Sequence, residues 1–209
     1  MGFFDIFQLS GLVFFLIVFL GRTLILWLKQ RINPFALGSG KKGLHRLFEM
    51  ALFPWLVLWI PGVLAVALHS PFRWIPASWN PFLLDSLPLK ITGAFLIVFG
   101  DFVFLWALIS FGNSWRVGID ERKAGDLVTE GAFSFSRNPI FVFLDLYFIG
   151  TFLINGTLLL LIFAGVTIPG IHYQILQEEK FLVGNYGQAY REYCSRTGRY
   201  ISLQRGKQT

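Results

Sequence analysis

Five apolar runs leave this chain few folds to choose from. They cover about residues 3–28, 47–69, 89–112, 140–154 and 157–177. Most reach the roughly 20 residues that a helix needs to cross a hydrocarbon core of about 30 Å. Across the 209 residues, 55% are hydrophobic and only 14% charged, and the mean hydropathy is +0.60. A water-soluble domain of this length cannot bury so much apolar surface, so lipid must be its main solvent. The expected fold is all-α, a multi-pass membrane helical bundle of about five transmembrane helices. The first run is not expected to be a cleavable signal peptide. It has no basic n-region, carries Asp5 early and runs on without a small-residue cleavage site.

Charge placement predicts an orientation. Lys29, Arg31, Lys41, Lys42 and Arg46 lie between the first two runs, with no acid before Glu49. The excess of cytoplasmic Lys and Arg in membrane proteins puts that loop inside. The next loop, SPFRWIPASWNPFLLDSLPL, is poor in charge and rich in Pro and Trp. It reads as an outer loop, with Trp74 and Trp79 at headgroup depth. The third run returns to the cytoplasm, the fourth and fifth form a hairpin turning at Asn155-Gly156, and Arg191, Arg196, Arg199, Arg205 and Lys207 end inside. The N-terminus is thus expected outside and the C-terminus in the cytoplasm.

Two elements are unusual. The fourth run has only fifteen residues, about 22 Å of helix. The fifth carries Pro169-Gly170, which predicts a kink. Beyond it IHYQILQEEKFLVGNYGQAYREYC stays helix-like but grows polar, with a turn expected at Gly184 or Gly187.

Ionisable groups at membrane depth are costly and draw attention to Arg22, Asp101 and Asp145. Arg22 and Asp101 fit a structural Arg–Asp pair, or a protonated Asp bonded to a neighbouring helix. Asp145 lies two turns beyond Arg137 and is a candidate catalytic group. Glu178 and Glu179 point about 100° apart on a helix, and His172 shares a face with Glu179. The hairpin should bring SRNP, at its start, to the same depth as QEEKF, at its end. Arg137 alone fits either a headgroup anchor or a polar site. Tyr186, Tyr190 and Tyr193 form an aromatic stripe that fits packing as well as a site. The single cysteine, Cys194, excludes an internal disulfide and reads as a bystander. His45, His69 and His172 lack metal-ligand spacing, so no metal is expected.

One combination is more specific. LVTEGAFSFSRNPIF, followed roughly forty residues later by QEEKFLVGNYGQAYREYCSR, resembles the signature of the membrane methyltransferases that include isoprenylcysteine carboxyl methyltransferases and phospholipid methyltransferases. Leu127, Thr129, Gly131, Arg137, Pro139, Glu178, Glu179, Tyr186, Gly187, Tyr190 and Tyr193 follow its pattern in order. The likeness covers about residues 112–202. It divides the chain into N-terminal transmembrane helices (1–111) and a methyltransferase-like region (112–209). Asn138 stands where that family usually has histidine, and Phe133 and Phe141 where tyrosines are common. Asn can bond and position but cannot titrate.

The resemblance implies S-adenosylmethionine bound at the cytoplasmic face without a nucleotide-binding sheet, and no GxGxxG follows a strand pattern here. The implied cofactor-binding residues are Leu127, Val128, Gly131, Phe133, Arg137, Asn138, Pro139, Glu178, Glu179, Tyr190 and Tyr193. Arg137 suits a carboxylate, the glutamates an ammonium or ribose, and an aromatic face the sulfonium. Arg137, Glu179 and Asp145 are the catalytic candidates. Trp115 and Arg116 are placed either against the acceptor's polar end or as membrane anchors. The expected partners are membrane lipids and a lipid-like or amphiphilic acceptor, with no nucleic acid. That acceptor could be an isoprenylcysteine carboxylate, a phospholipid amine or a thiol. Two other readings stay open. A nicotinamide-dependent sterol-type reductase shares a similar C-terminal arrangement, faintly echoed by Tyr193-Cys194, but Ile140-Phe141 departs from its pattern. A non-enzymatic scaffold or transporter subunit would use Arg22, Asp101 and Asp145 as a polar path.

Overall fold

A computed structural model describes residues 1–30, 43–69, 81–112 and 127–202. Six helices follow one another: α1 (Phe3–Gln30), α2 (Gly43–Ala67), α3 (Leu87–Phe111), α4 (Ala132–Phe135), α5 (Pro139–Asn155) and α6 (Leu158–Arg196). α1, α2, α3 and α6 are long and apolar enough to cross a membrane, and α5 is a shorter apolar helix. The fold is the expected all-α multi-pass bundle. Ile17, Phe95, Phe102 and Ile109 are exposed on its outer surface, which is where lipid tails replace water as solvent.

Glycine sets the tightest contact. A Cβ on Gly93 of α3 would lie 2.6 Å from the Gly150 carbonyl oxygen of α5, and one on Gly150 would lie 2.8 Å from the Gly93 oxygen. Without side chains at these points, the two backbones touch, as small residues allow between helices in lipid. Around this seam an aromatic core joins four helices. Phe15 (α1), Phe104 (α3), Phe143 and Tyr147 (α5) form a chain of rings, and Trp59 (α2) packs on Tyr147 and Phe148.

Polar pairs fix the register. Gln8 of α1 and Asn155 of α5 exchange amide hydrogen bonds of 3.1 and 2.7 Å while buried, and Trp55 Nε1 of α2 donates to Thr167 of α6 at 3.0 Å. Gly156 caps α5 at φ 62° and starts the tight turn into α6. Its carbonyl accepts from Leu83 and Leu84, tying the segment ahead of α3 to the hairpin tip.

Arg22 and Asp101 do not pair. Arg22 Nη2 donates to the Gly112 carbonyl, one of the carbonyls left open at the end of α3. Asp101 Oδ1 has no hydrogen-bond partner among the described residues; Oδ2 borders the same gap beside Gly11 as the Tyr147 hydroxyl. α6 continues through the polar helix-like stretch beyond the apolar run, as far as Arg196. Its dihedrals leave the helical range at Gly187 (φ 53°), one of the two expected turn positions, and not at Pro169. The basic loop at 31–42, Trp74 and Trp79 lie outside the described residues.

Candidate functional site

The site forms where the start of the hairpin meets the far end of α6. Three local features place it. Gly131 adopts φ 62°, and a Cβ there would collide with the Ser110 side chain. The Ser110 hydroxyl instead accepts from Ala132 N–H at 2.9 Å, seating the turn and α4 on the end of α3. Asn138 is the N-cap residue of α5 and Pro139 its first helical position, where a missing N–H costs nothing. The chain between, Ser136 to Asn138, is extended enough to pair with another segment.

That partner is the strap after α6. Arg137 N–H donates to Gly198 O at 3.0 Å and Ser202 N–H to Phe135 O at 2.9 Å. Asn138 Nδ2 donates to Arg199 O at 3.1 Å, and the Ser136 hydroxyl caps Asn138 N–H at 3.0 Å. Ser136 is fully buried and Asn138 nearly so. Asn138 therefore positions the strap, a role its amide serves without titrating.

Between these strands of chain lies one acid with two bases. Glu179 of α6 is buried. Arg199 Nε and Nη2 donate to its Oε2 at 3.0 and 2.7 Å. Arg137 Nη2 lies 3.1 Å from Oε1, too poorly aligned to satisfy that oxygen, so Oε1 keeps an unused acceptor position, as Arg137 Nε keeps an unused donor. Buried polar atoms are rarely left so. The other end of Arg137 contacts Cys194 Sγ. Cys194 packs on the guanidinium and lines the adjoining cavity. Hydrogen bonds to the Glu179 carboxylate hold the Arg199 pKa above its ordinary value.

A cavity of about 380 Å³ opens beside this cluster, lined by Leu176, Glu179, Lys180, Val183, Tyr190, Cys194 and Arg199. Its size falls in the range of small-molecule sites, roughly 300–1,000 Å³. Tyr190 and Tyr193 are buried with Phe133 in a second core, against which Leu127, Val128 and Tyr186 pack. The Tyr193 hydroxyl donates to Phe133 O at 2.6 Å. The aromatic stripe therefore serves as packing and, through Tyr190, as a cavity wall.

The structure brings together Arg137, Asn138, Pro139, Glu179, Tyr190 and Tyr193, with Leu127, Val128, Gly131 and Phe133 behind them. Glu178 turns away, accepting from Gln174 Nε2 at 3.0 Å one turn earlier. Asp145 is on α5, whereas Arg137 precedes the helix, so they do not share a helical face. Asp145 Oδ1 is buried without a hydrogen-bond partner among the described residues, on the side of Tyr200, whose phenol is raised above its usual pKa by burial and by that carboxylate. Tyr200 also bonds His172 Nδ1 at 2.7 Å. Trp115 and Arg116 lie outside the described residues. Sequence reasoning missed Arg199 as a site residue. Its only signal was membership of a basic tail.

The described residues hold no cluster of three His, Cys, Asp or Glu able to bind a metal. What they define is an integral membrane protein with a small-molecule cavity where a helical hairpin meets its C-terminal strap. Residues 89–189, just under half of the sequence, match the profile of the phospholipid methyltransferase family, so this stretch is similar to those membrane methyltransferases. No curated protein matches the sequence.

Proposed function

We propose that the protein transfers a methyl group from S-adenosylmethionine to a lipid-like or amphiphilic acceptor, in the cavity beside Glu179. The observation that carries this reading is the buried Glu179 carboxylate on the cavity lining, held by two guanidiniums yet keeping its Oε1 without a hydrogen-bond partner among the described residues. A cationic amino-acid ligand suits it. Glu179 Oε1 would receive the ammonium, and Leu176, Val183 and Tyr190 supply apolar and aromatic surface for adenine. A tyrosine face also favours a sulfonium.

When bound, the cofactor supplies an electrophilic methyl carbon. The protein's share is alignment and exclusion of water. Arg137, buried between Cys194 and Glu179, holds the carboxylate in place. Asn138 and Pro139 fix the start of α5 and the strap over it. Gly131, Leu127, Val128, Phe133 and Tyr193 form the rigid backing, and Glu178 stands at the edge through Gln174. A carboxylate acceptor needs no base. An amine or thiol acceptor would lose a proton, and Asp145 with its unpartnered Oδ1 is the better candidate. Glu179 is engaged by Arg199 and Arg137 and is poorly disposed to take a proton. Trp115 and Arg116 remain proposed contacts for the acceptor's polar end. The acceptor, whether an isoprenylcysteine-type carboxylate, a phospholipid amine or a thiol, would enter from the bilayer, and the cofactor from the cytoplasm.

Calorimetry of the detergent-solubilised protein with S-adenosylmethionine tests the reading. Saturable binding that Glu179→Gln weakens at least tenfold supports it. Folded protein that binds nothing at millimolar cofactor overturns it.

A further inference from the structure

The cavity contains more positive charge than the acid beside it can balance. Among the described residues, Glu179 is the one carboxylate on its wall, while Arg199 and Lys180 line it and Arg137 stands directly behind. A pocket with this balance draws an anionic group. Three cations are available to meet it, and they differ in freedom. Arg137 has a side chain only 12% exposed, with its terminal nitrogens directed to Cys194 and Glu179. Lys180 is exposed, a mobile point charge. Arg199 is intermediate at 36% exposure. Its Nε and Nη2 are spent on Glu179 Oε2, and Nη1 has no partner among the described residues.

Arg199 is also unusually well placed for a residue outside helical structure. Its carbonyl accepts from Asn138 Nδ2, its neighbour Gly198 accepts from Arg137 N–H, and the Tyr200 ring stacks on His172 with a hydrogen bond of 2.7 Å. The backbone on both sides is pinned, so the guanidinium is presented to the cavity at little entropic cost. A planar fork braced on one carboxylate and open at its remaining edge is suited to a second carboxylate.

We infer that Arg199, on the C-terminal strap, is the residue that binds the carboxylate of the cofactor's amino-acid end, with Arg137 serving to fix Glu179. The pair Glu179 and Arg199 then reads both ends of one amino acid, the ammonium by the unused Oε1 and the carboxylate by the unused Nη1. This rests on the methyltransferase reading above and extends it to a residue beyond the family-matched stretch. It also gives the strap a function: the segment that closes the site carries one of its recognition groups.

The test uses two ligands that differ only in the group at issue, S-adenosylmethionine and its decarboxylated form, titrated calorimetrically into the full-length protein in detergent. Loss of a charge-assisted hydrogen bond should weaken S-adenosylmethionine roughly tenfold to a hundredfold in Arg199→Gln. Binding of the decarboxylated ligand should change less than about threefold. Arg199→Lys should recover part of the loss, since charge returns without the fork, and Lys180→Gln should leave the preference for the carboxylated ligand intact. Thermal unfolding of each variant separates lost binding from lost fold. If Arg199→Gln weakens both ligands alike, or neither, Arg199 braces Glu179 and the assignment is overturned while the methyltransferase reading stands. If the unaltered protein binds neither ligand, both fall together.

Discussion

Glu179 is the residue on which the site turns, because a buried carboxylate is tolerable only with its charge matched. Arg137 shares its burial, so each depends on the other. Breaking such a pair from one side leaves the partner charged and dry, at a cost of about 3–5 kcal/mol when fully buried. Arg199 is more than a third exposed, and solvent screening reduces what its half contributes. Glu179→Gln is therefore expected to lower the thermal unfolding midpoint in detergent more than Arg199→Gln does. The opposite order would mean that the strap, not the buried pair, holds this end of the protein. Asn138 supplies a second residue-scale case. Asn138→Ala removes one hydrogen bond to the strap, worth about 1 kcal/mol. It should raise hydrogen exchange at residues 198–202, with little effect on α3 or α5. The meeting of Arg137 with Glu179 was legible in the sequence, since two polar motifs bracketing an apolar hairpin are expected to come to a similar depth. The part played by Arg199, Gly198 and Ser202 was not. Non-helical backbone has no periodicity, so nothing marked which way the tail would fold after Arg196. The contact of Cys194 with Arg137 was hidden for the same reason: the two lie 57 residues apart.

The helices depend on glycine at two points for different reasons. At the α3–α5 seam the cause is space. A methyl group on Gly150 would press within 2.8 Å of both Gly93 O and Ile97 Cγ1, so the helices must separate. Gly150→Ala should destabilise the protein by about 1–3 kcal/mol, the usual cost of overpacking, readable as a lower unfolding midpoint. At Gly187 the cause is conformation. Nothing lies within 4 Å of a Cβ there, but φ is 53°, where an L-residue costs roughly 1–2 kcal/mol. Gly187→Ala is expected to lose cofactor affinity beyond its modest loss of stability. The break at this residue sets the direction in which Tyr190 faces the cavity. Binding unchanged in a destabilised Gly187→Ala would show that the break serves packing alone. The five apolar runs predicted five of the six helices closely, because periodicity and length carry through packing. The long continuation of α6 and its break at Gly187 were seen only in outline, since a polar helical pattern looks the same inside and outside a membrane.

The whole molecule must be oriented for this site to work. The cavity sits at the end of the bundle where α5 begins and α6 finishes, and the proposed cofactor, being water-soluble, would reach it only from the compartment that supplies it. If all five apolar helices cross, the N- and C-termini lie on opposite sides of the bilayer, as the proposed orientation requires. By the positive-inside bias, the Lys and Arg residues between the first two apolar runs, with Lys29, Lys41 and Lys42, are expected on the cytoplasmic side together with the basic C-terminal residues. The weak link is α5. Its seventeen residues rise about 25 Å, short of a ~30 Å core, and its entry is the SRNP edge at the site. That shortfall can be met by local thinning of the bilayer, which would bring an acceptor's polar group toward the depth of Glu179. A fluorescent protein fused after Thr209 should fold and fluoresce in the cytoplasm, and a protease site placed before Met1 should be cut only from the outer side. Cleavage of that N-terminal site from the cytoplasm, with a dark C-terminal fusion, would put the cavity on the face away from its cofactor and overturn the proposed orientation.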